Sequence, residues 1–502
     1  MSKSDASRRR VLKQFASMTV LGAVNMLRSP SVFSASAGAR TAIDGFGGNI
    51  VSRTDPGYEE YRQSSHWHHS VPRRYPDLMV QAENVEDVIA AIKHAASHGL
   101  KISVHNTGHN AMGSSLRDGG MMLDVGSIAD IEIDTVNKQA IVGPGVRSIQ
   151  LMAAARSKGL SFPVPHCPTV GISGFTMGGG QGWNWGNNEG MACFSIAAAD
   201  VVTADGQLRH ASPDENPDLY WAVRGAGPGF FGVVTRLWLN LYPLPQAIHA
   251  SNYIIPLEKL DETTAISDKL VNQSLDKRVE FINLLAHNPA APAGTPAKDA
   301  KICFVTAFAF GDSEQESREL LAPVTKSGLA DLSVHKEENL PFSYEGLYNK
   351  YFSLNVPAGM MANYMVDNVM TDDPAKVLHD LAEHFRQAPS HHAHVLAAMG
   401  LNIKHHDDAC FSSLATTYVG CYAIWDEEKD TRANYDWLSK CAPIMDPYMK
   451  GRYANEVEPS FDPDRMRQCF SAEAWTRLEQ LRAKYDPKGT FHHYLRESRL
   501  GT

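Results

Sequence analysis

Two short stretches of this 502-residue chain set reactive side chains beside glycine. His105-Asn106-Thr107-Gly108-His109 ends on an imidazole, and His166-Cys167-Pro168-Thr169-Val170-Gly171 carries a thiol. An imidazole and a thiolate are both nucleophiles able to form covalent bonds, and the neighbouring glycines let backbone pack close to a flat ligand. The stretches lie roughly sixty residues apart, so they point to two bonds from distant places to one planar group. After Cys167, glycine recurs at Gly171, Gly174, Gly178, Gly179, Gly180 and Gly182. Such a run exposes N–H groups suited to a pyrophosphate or a ring edge. Read by itself, it is also what a tight loop in an α/β protein requires.

The elements that must position these residues follow from periodicity and punctuation. Leu78-Met79-Val80 reads as a strand, and Asn84 caps a helix in which Val85, Val88, Ile89, Ile92 and Ala95 repeat at helical spacing until Gly99. Lys101 to Val104 is a second strand that runs directly into the His105–His109 turn. Strands are expected at 121–125, 131–134 and 139–142, with a helix from Val146 to Lys158. A strand from Ala197 to Thr203, a short helix at Pro217 to Val223 and a strand from Phe231 to Leu241 complete the first region, which Tyr242-Pro243-Leu244-Pro245 closes. The middle region mixes apolar strands (Ile302 to Phe310, Thr416 to Trp425) with amphipathic helices (Asp373 to Gln387, Asp430 to Ala442). The tail predicts a strand at Arg452 to Val457, which puts Tyr453 and Asn455 on one face, and then a helix from Ser471 to Tyr485.

Composition narrows the function classes. A hydrophobic content of 43%, a charged content of 21% and a formal net charge of -9 describe a soluble globular chain and argue against nucleic-acid binding. At this length two domains are expected. Ser7-Arg8-Arg9-Arg10-Val11-Leu12-Lys13, a weak apolar run from Phe15 to Leu27 and small residues up to Ala39 read as a signal peptide of the twin-arginine type. That run is too short and interrupted to span a bilayer, so a periplasmic or secreted protein with no stable membrane insertion is expected. Seven cysteines without a CxxC pair indicate neither a zinc ribbon nor a thioredoxin-like site. The histidines of His66-Trp67-His68-His69, His391-His392-Ala393-His394 and His405-His406 sit adjacent on single elements and point different ways. Solvated loops or substrate-facing groups are expected there, and no metal site. Gly227, Gly229 and Gly232 form a nominal GxGxxG, but a helix precedes it and a strand follows, the reverse of a dinucleotide fingerprint.

Four separated patterns resemble the FAD-linked oxidases of the berberine bridge enzyme type, within the vanillyl-alcohol oxidase superfamily with its PCMH-type FAD-binding domain. They are Asn106-Thr107-Gly108-His109, the segment from Cys167 through Val170 and Gly171 to Gly174, Gly229-Phe230-Phe231-Gly232-Val233-Val234-Thr235, and Tyr453-Ala454-Asn455 with the closing Tyr485 to Phe491. Asn106 and Thr107 replace the family's arginine and first glycine, and Pro165 stands where a glycine precedes the cysteine motif. The resemblance implies an α+β chain: an FAD-binding domain of two α/β subdomains with an inserted α+β substrate domain on an antiparallel sheet. The expected boundaries are 1–39 for the signal peptide, 40–245 for the FAD-binding domain, 246–446 for the substrate domain and 447–502 for a segment returning to the first domain.

By the same resemblance, His109 attaches to the flavin 8α-methyl and Cys167 to C6. His105, Asn106, Thr107, Gly108, Val170, Gly171, Ser173, Gly174, Gly178, Gly232, Val234 and Asn455 line the cofactor, and Tyr453 is the candidate base. Val170 at the position three after the cysteine favours reaction of the reduced flavin with O2. The expected protein is thus an exported oxidase that takes hydride from an alcohol or hemiacetal carbon of a bulky substrate, an oligosaccharide or a polycyclic or phenolic metabolite, and releases H2O2. Its expected partners are the substrate, O2 and the twin-arginine export machinery. A dehydrogenase passing electrons to a quinone and a non-catalytic flavoprotein that sequesters a planar compound are the alternatives.

Overall fold

The computed structural model describes residues 42–496 apart from 185–189, 289–290, 293–294, 356–362, 402 and 463. The expected signal peptide lies outside the described residues. The described residues divide into two compact units, one containing Pro245–Asn402 and Ala415–Lys450, the other containing the described residues up to Leu244, Ile403–Leu414 and those from Gly451 on.

The second of these units carries the cofactor motifs. Its first sheet has the order β1-β2-β4-β3, from Asn49–Ser52, Leu78–Gln81, Ile102–His105 (β3) and Met121–Asp124 (β4). β2, β4 and β3 run parallel, with β1 antiparallel at one edge. The helix Val85–His98 makes the crossover. Its cap is the one expected: the Asn84 side chain accepts from the Asp87 N–H at 2.9 Å, and Gly99 ends it in the left-handed region, a capping contribution of about 1 kcal/mol. Val88, Ala91, Ile92 and Ala95 pack against Val80, Met121 and Leu123. At the other edge the tail pairs with β3: Ile102 N–H donates to Thr490 O at 2.7 Å, and His492 N–H donates to Ile102 O at 2.8 Å.

A second, antiparallel sheet has the order β5-β6-β10-β8-β9, from Ile131–Asp134, Gln139–Val142, Ile196–Thr203 (β8), Leu208–Ala211 (β9) and Gly232–Asn240 (β10); β7 (Leu160–Ser161) pairs with β11 (Tyr242–Pro243) beside it. Val202 of β8 and Val233 of β10 enter the same core as the first sheet, so one apolar cluster joins the two subdomains. The nominal GxGxxG sits after the helix Pro217–Val223 and before β10, in the order that rules out a dinucleotide turn.

The other unit is built on one antiparallel sheet of seven strands, order β15-β12-β14-β13-β17-β18-β16. In chain order these are Ala247–Pro256, Val279–His287 (β13), Lys301–Gly311, His335–Phe342, Asn363–Thr371, His394–Met399 and Thr417–Trp425 (β18). Asn283 on one face of β13 donates to Ser267 of the helix Leu260–Gln273 at 3.0 Å. Tyr418 and Tyr422 share a face of β18, with their hydroxyls 2.9 Å apart and His394 stacked on Tyr422.

One element differs from expectation. Arg452 to Val457 is not a strand: Ala454–Glu456 forms a 3-10 turn, closed by Glu456 N–H donating to Tyr453 O at 3.1 Å. The backbone satisfies itself locally, so no ladder forms. Tyr453 and Asn455 still come together, through a side-chain hydrogen bond and not through strand alternation. All seven cysteines are buried and free.

Candidate flavin site

The turn after β3 rests on the segment 65–67. Gly108 has φ 74, and a Cβ there would run into the Ser65 carbonyl, so glycine is required by both conformation and space. Trp67 N–H donates to Gly108 O at 3.3 Å. His105 supports the turn from below. Its Nε2 lies 2.8 Å from Ser65 O and its Nδ1 3.2 Å from the Asp124 carboxylate, which also accepts from the Tyr61 hydroxyl and the Gly126 N–H at 2.8 Å each. Burial works against the charged imidazole, yet Asp124 and Ser65 outweigh it and raise the His105 pKa. Nε2 of His105 is thus hydrogen-bonded to the 65–67 segment, while Nδ1 meets Asp124 as a charge contact.

The turn is stitched to the cysteine loop by polar side chains. Gly171 N–H donates to the Thr107 hydroxyl at 2.9 Å; the Asn106 amide donates to Ser173 Oγ at 2.9 Å and to Pro144 O at 2.6 Å. Thr107 thus bonds the cysteine loop directly, and Asn106 ties the turn to the start of the helix Ile172–Met177 and to Pro144. A Cβ on Gly171 would strike the Asn106 amide.

His109 and Cys167 meet at one atom. Thr169 Oγ1 lies 2.8 Å from His109 Nε2 and 3.4 Å from Cys167 Sγ. Trp67 stacks on the His109 ring, centroids 5.0 Å apart and planes 14° from parallel. Burial, with Arg147 nearby, pushes the His109 pKa down to about 3, so the imidazole is neutral at physiological pH. Burial raises the Cys167 thiol pKa, and the Thr169 hydroxyl opposes it. Val170 is half-buried on the same loop, its carbonyl held by Ser148 N–H at 2.9 Å.

Part of the glycine run holds a second turn in place. Gly180 N–H and Gln181 N–H donate to the Tyr453 hydroxyl at 3.2 and 3.4 Å, and the Asn455 amide donates to it at 3.1 Å and to Phe175 O at 3.1 Å. A Cβ on Gly178 would fall on the Asn455 amide. The run therefore docks the Tyr453–Asn455 turn. Burial, and next the Glu456 charge, raise the Tyr453 pKa well above the usual phenol value in spite of these three donors. Gly232 and Val234 are buried in β10, where a Cβ on Gly232 would meet Val201 of β8; their contacts serve the sheet.

Sequence reasoning assigned no role to Thr169, Trp67 or Arg147. A hydroxyl two residues past a candidate nucleophile was the available signal for Thr169. For Trp67 the signal was obscured by its histidines, which read as solvated. Instead His66 and His68 are buried at 3% and 1% exposure, their Nε2 atoms 2.9 Å apart. Among the described residues no group of three His, Cys, Asp or Glu side chains is placed to hold a metal ion.

A planar redox cofactor suits this geometry: two nucleophiles converge on one hydroxyl, and a Cβ on Gly174, in the adjoining helix Ile172–Met177, would meet nothing within 4 Å. Residues 76–212 match the FAD binding domain family. An FAD-linked oxidoreductase of Penicillium ochrochloron is 26% identical over 437 residues, 87% of this chain and 93% of the relative. The (R)-6-hydroxynicotine oxidase of Paenarthrobacter nicotinovorans is 40% identical over 175 residues, 35% of this chain and 38% of that protein. The structure of berberine bridge enzyme from Eschscholzia californica superposes with a TM-score of 0.74 at 17% identity, covering 90% of this chain and 97% of that one. Residues 76–212 are therefore an FAD-binding domain. The chain is an FAD-dependent oxidoreductase with the fold of the berberine bridge enzyme-like oxidases.

Proposed function

We propose that this protein is an exported oxidase whose flavin is bonded to both His109 and Cys167. The observation that carries the reading is the Thr169 hydroxyl within reach of both side chains, which come from loops sixty residues apart in sequence. The bound flavin supplies a hydride acceptor that O2 can reoxidise with release of H2O2. Around it, Asn106, Thr107, Gly171 and Ser173 fix the distance between the two loops, and the Trp67 stack fixes the plane of the His109 ring. Two bonds would keep the ring in place without enclosing it, which suits a bulky alcohol, hemiacetal or phenolic metabolite as substrate. Among the described residues no helix is long and apolar enough to cross a membrane, and the Arg8-Arg9 segment directs the folded, loaded protein through the twin-arginine route to the periplasm or beyond.

Tyr453 is the candidate base. Three N–H donors converge on its oxygen, the arrangement a phenolate requires, while burial opposes ionisation. Val170 beside the cysteine loop supports O2 over a quinone as the acceptor.

Denaturing the full-length protein tests attachment. The yellow colour should stay with wild-type polypeptide and with His109→Ala or Cys167→Ala alone, and wash away from the double variant. Colour lost from wild type, or kept by the double variant, defeats the reading. A peroxide-release screen over sugars, alcohols and aromatic metabolites identifies the substrate; reduction of an artificial acceptor without peroxide would assign a dehydrogenase.

A further inference from the structure

His109 and Cys167 share one hydroxyl proton. Thr169 Oγ1 is 2.8 Å from His109 Nε2 and 3.4 Å from Cys167 Sγ. A hydroxyl has a single O–H to donate and lone pairs to accept with, so this chain of three groups has two directions. In one, Nε2–H donates to Thr169 and the Thr169 O–H donates to sulfur. Nδ1 of His109 then carries its lone pair, and the sulfur is an acceptor, which favours the thiolate. In the other direction O–H donates to Nε2, Nδ1 carries the ring proton, and S–H donates to Oγ1. The first direction arms both nucleophiles and the second arms neither.

Two surrounding features make the switch a real one. The His109 imidazole is neutral, because burial and Arg147 hold its pKa at about 3, so it has a single N–H to place on one nitrogen or the other. The Trp67 face lies against the ring at 5.0 Å and keeps it from turning away. Each hydrogen bond in such a chain polarises the next, which couples the two ends.

We propose that Thr169 is the positioning residue for both flavin attachments, its hydroxyl direction setting the free nitrogen of His109 and the acceptor state of Cys167 together. This rests on the double attachment proposed above. Each attachment replaces one hydrogen on a flavin carbon and one on the protein nucleophile by a new bond. Both hydrogens and their two electrons pass to O2 as H2O2, so the balance closes with O2 as oxidant and Thr169 unchanged.

The test uses the full-length protein purified after short and long expression. Intact mass and absorbance of the denatured protein give the fractions with no, one and two flavin bonds. Thr169→Val, which keeps the shape and removes the hydroxyl, should slow both attachments, on the order of tenfold for a lost hydrogen bond to a reacting group. Thr169→Ser should match wild type. In the Cys167→Ala and His109→Ala backgrounds, Thr169→Val should slow the one remaining bond. The proposal is overturned if Thr169→Val attaches flavin at the wild-type rate, if only one of the two bonds is affected, or if Thr169→Ser is as defective as Thr169→Val, which would mean packing and not the hydroxyl. Release of all flavin from denatured wild type defeats double attachment itself, and that failure shows in the wild-type sample alone.

Discussion

Asp124→Asn removes the charge beneath the flavin turn while keeping the side chain's shape. Asp124 is 3% exposed, and its carboxylate takes the Tyr61 hydroxyl, the Gly126 N–H and Nδ1 of His105, itself 6% exposed. Breaking one partner of a buried ion pair costs about 3–5 kcal/mol, and hydrogen bonds to a charged group are worth about 1.5–3 kcal/mol each. A loss of about 3–5 kcal/mol is expected for the unit carrying β3 and β4. The sign of its pH dependence is fixed by His105. Its pKa in the folded protein is raised above the unfolded value of about 6.5, so its pair with Asp124 stabilises fully below that value and fades as pH rises through the folded pKa. The gap between wild type and Asp124→Asn should therefore be widest below the unfolded value of about 6.5 and shrink as pH rises above it. Urea unfolding at a series of pH values measures it, with tryptophan fluorescence and flavin emission recorded together because the two units can melt separately. A loss under about 1 kcal/mol, well below a broken buried pair, or a gap that stays flat or widens with rising pH, refutes the ion-pair reasoning.

Other variants probe the rest of the site. Gly108→Ala should cost about 1–3 kcal/mol in left-handed strain and also displace the turn from Ser65, lowering the flavin-attached fraction; Gly99→Ala, where φ is 65 and a Cβ meets nothing within 4 Å, supplies the control with strain alone. Val170→Leu should slow reoxidation of the reduced enzyme in air while leaving anaerobic reduction by substrate unchanged, measured by stopped-flow absorbance. With the Tyr453 phenol held above its usual pKa, kcat/KM should still be climbing at alkaline pH, and Tyr453→Phe should flatten that climb and lower the rate by about 10²–10⁴-fold.

Elements with a strong period or cap were legible from sequence. The helix Val85–His98 has its Asn84 cap, its Gly99 stop and its buried face as expected, because local signals and core packing agree. The Arg452 to Val457 strand failed because alternation over a few residues says nothing of a partner strand. The backbone turns there to deliver Tyr453 to Gly180 and Asn455 to Gly178. The excursion Ile403–Leu414 into the flavin unit was invisible in composition. It is held by single long-range contacts: Cys410 N–H and Phe411 N–H donate to Trp221 O and Arg224 O at 3.0 Å each, and buried Arg224 pairs with Asp408. Motif spacing located His109 and Cys167, but their convergence on Thr169 is a tertiary fact that no periodicity encodes. The glycine run suggested N–H groups for a ligand; that two of its neighbouring N–H groups donate to the Tyr453 hydroxyl could not be read from composition.

The pairing of Ile102 with residues 490–492 ties events in time as well as in space. β3 delivers the His105–His109 turn, and its free edge is closed only by residues near the end of the chain. Phe491 also completes the apolar cluster under that strand. Synthesis must therefore have passed residues 490–492 before β3 has both of its neighbours. A polypeptide truncated before Thr490 would leave that strand edge open as a template for pairing with another chain.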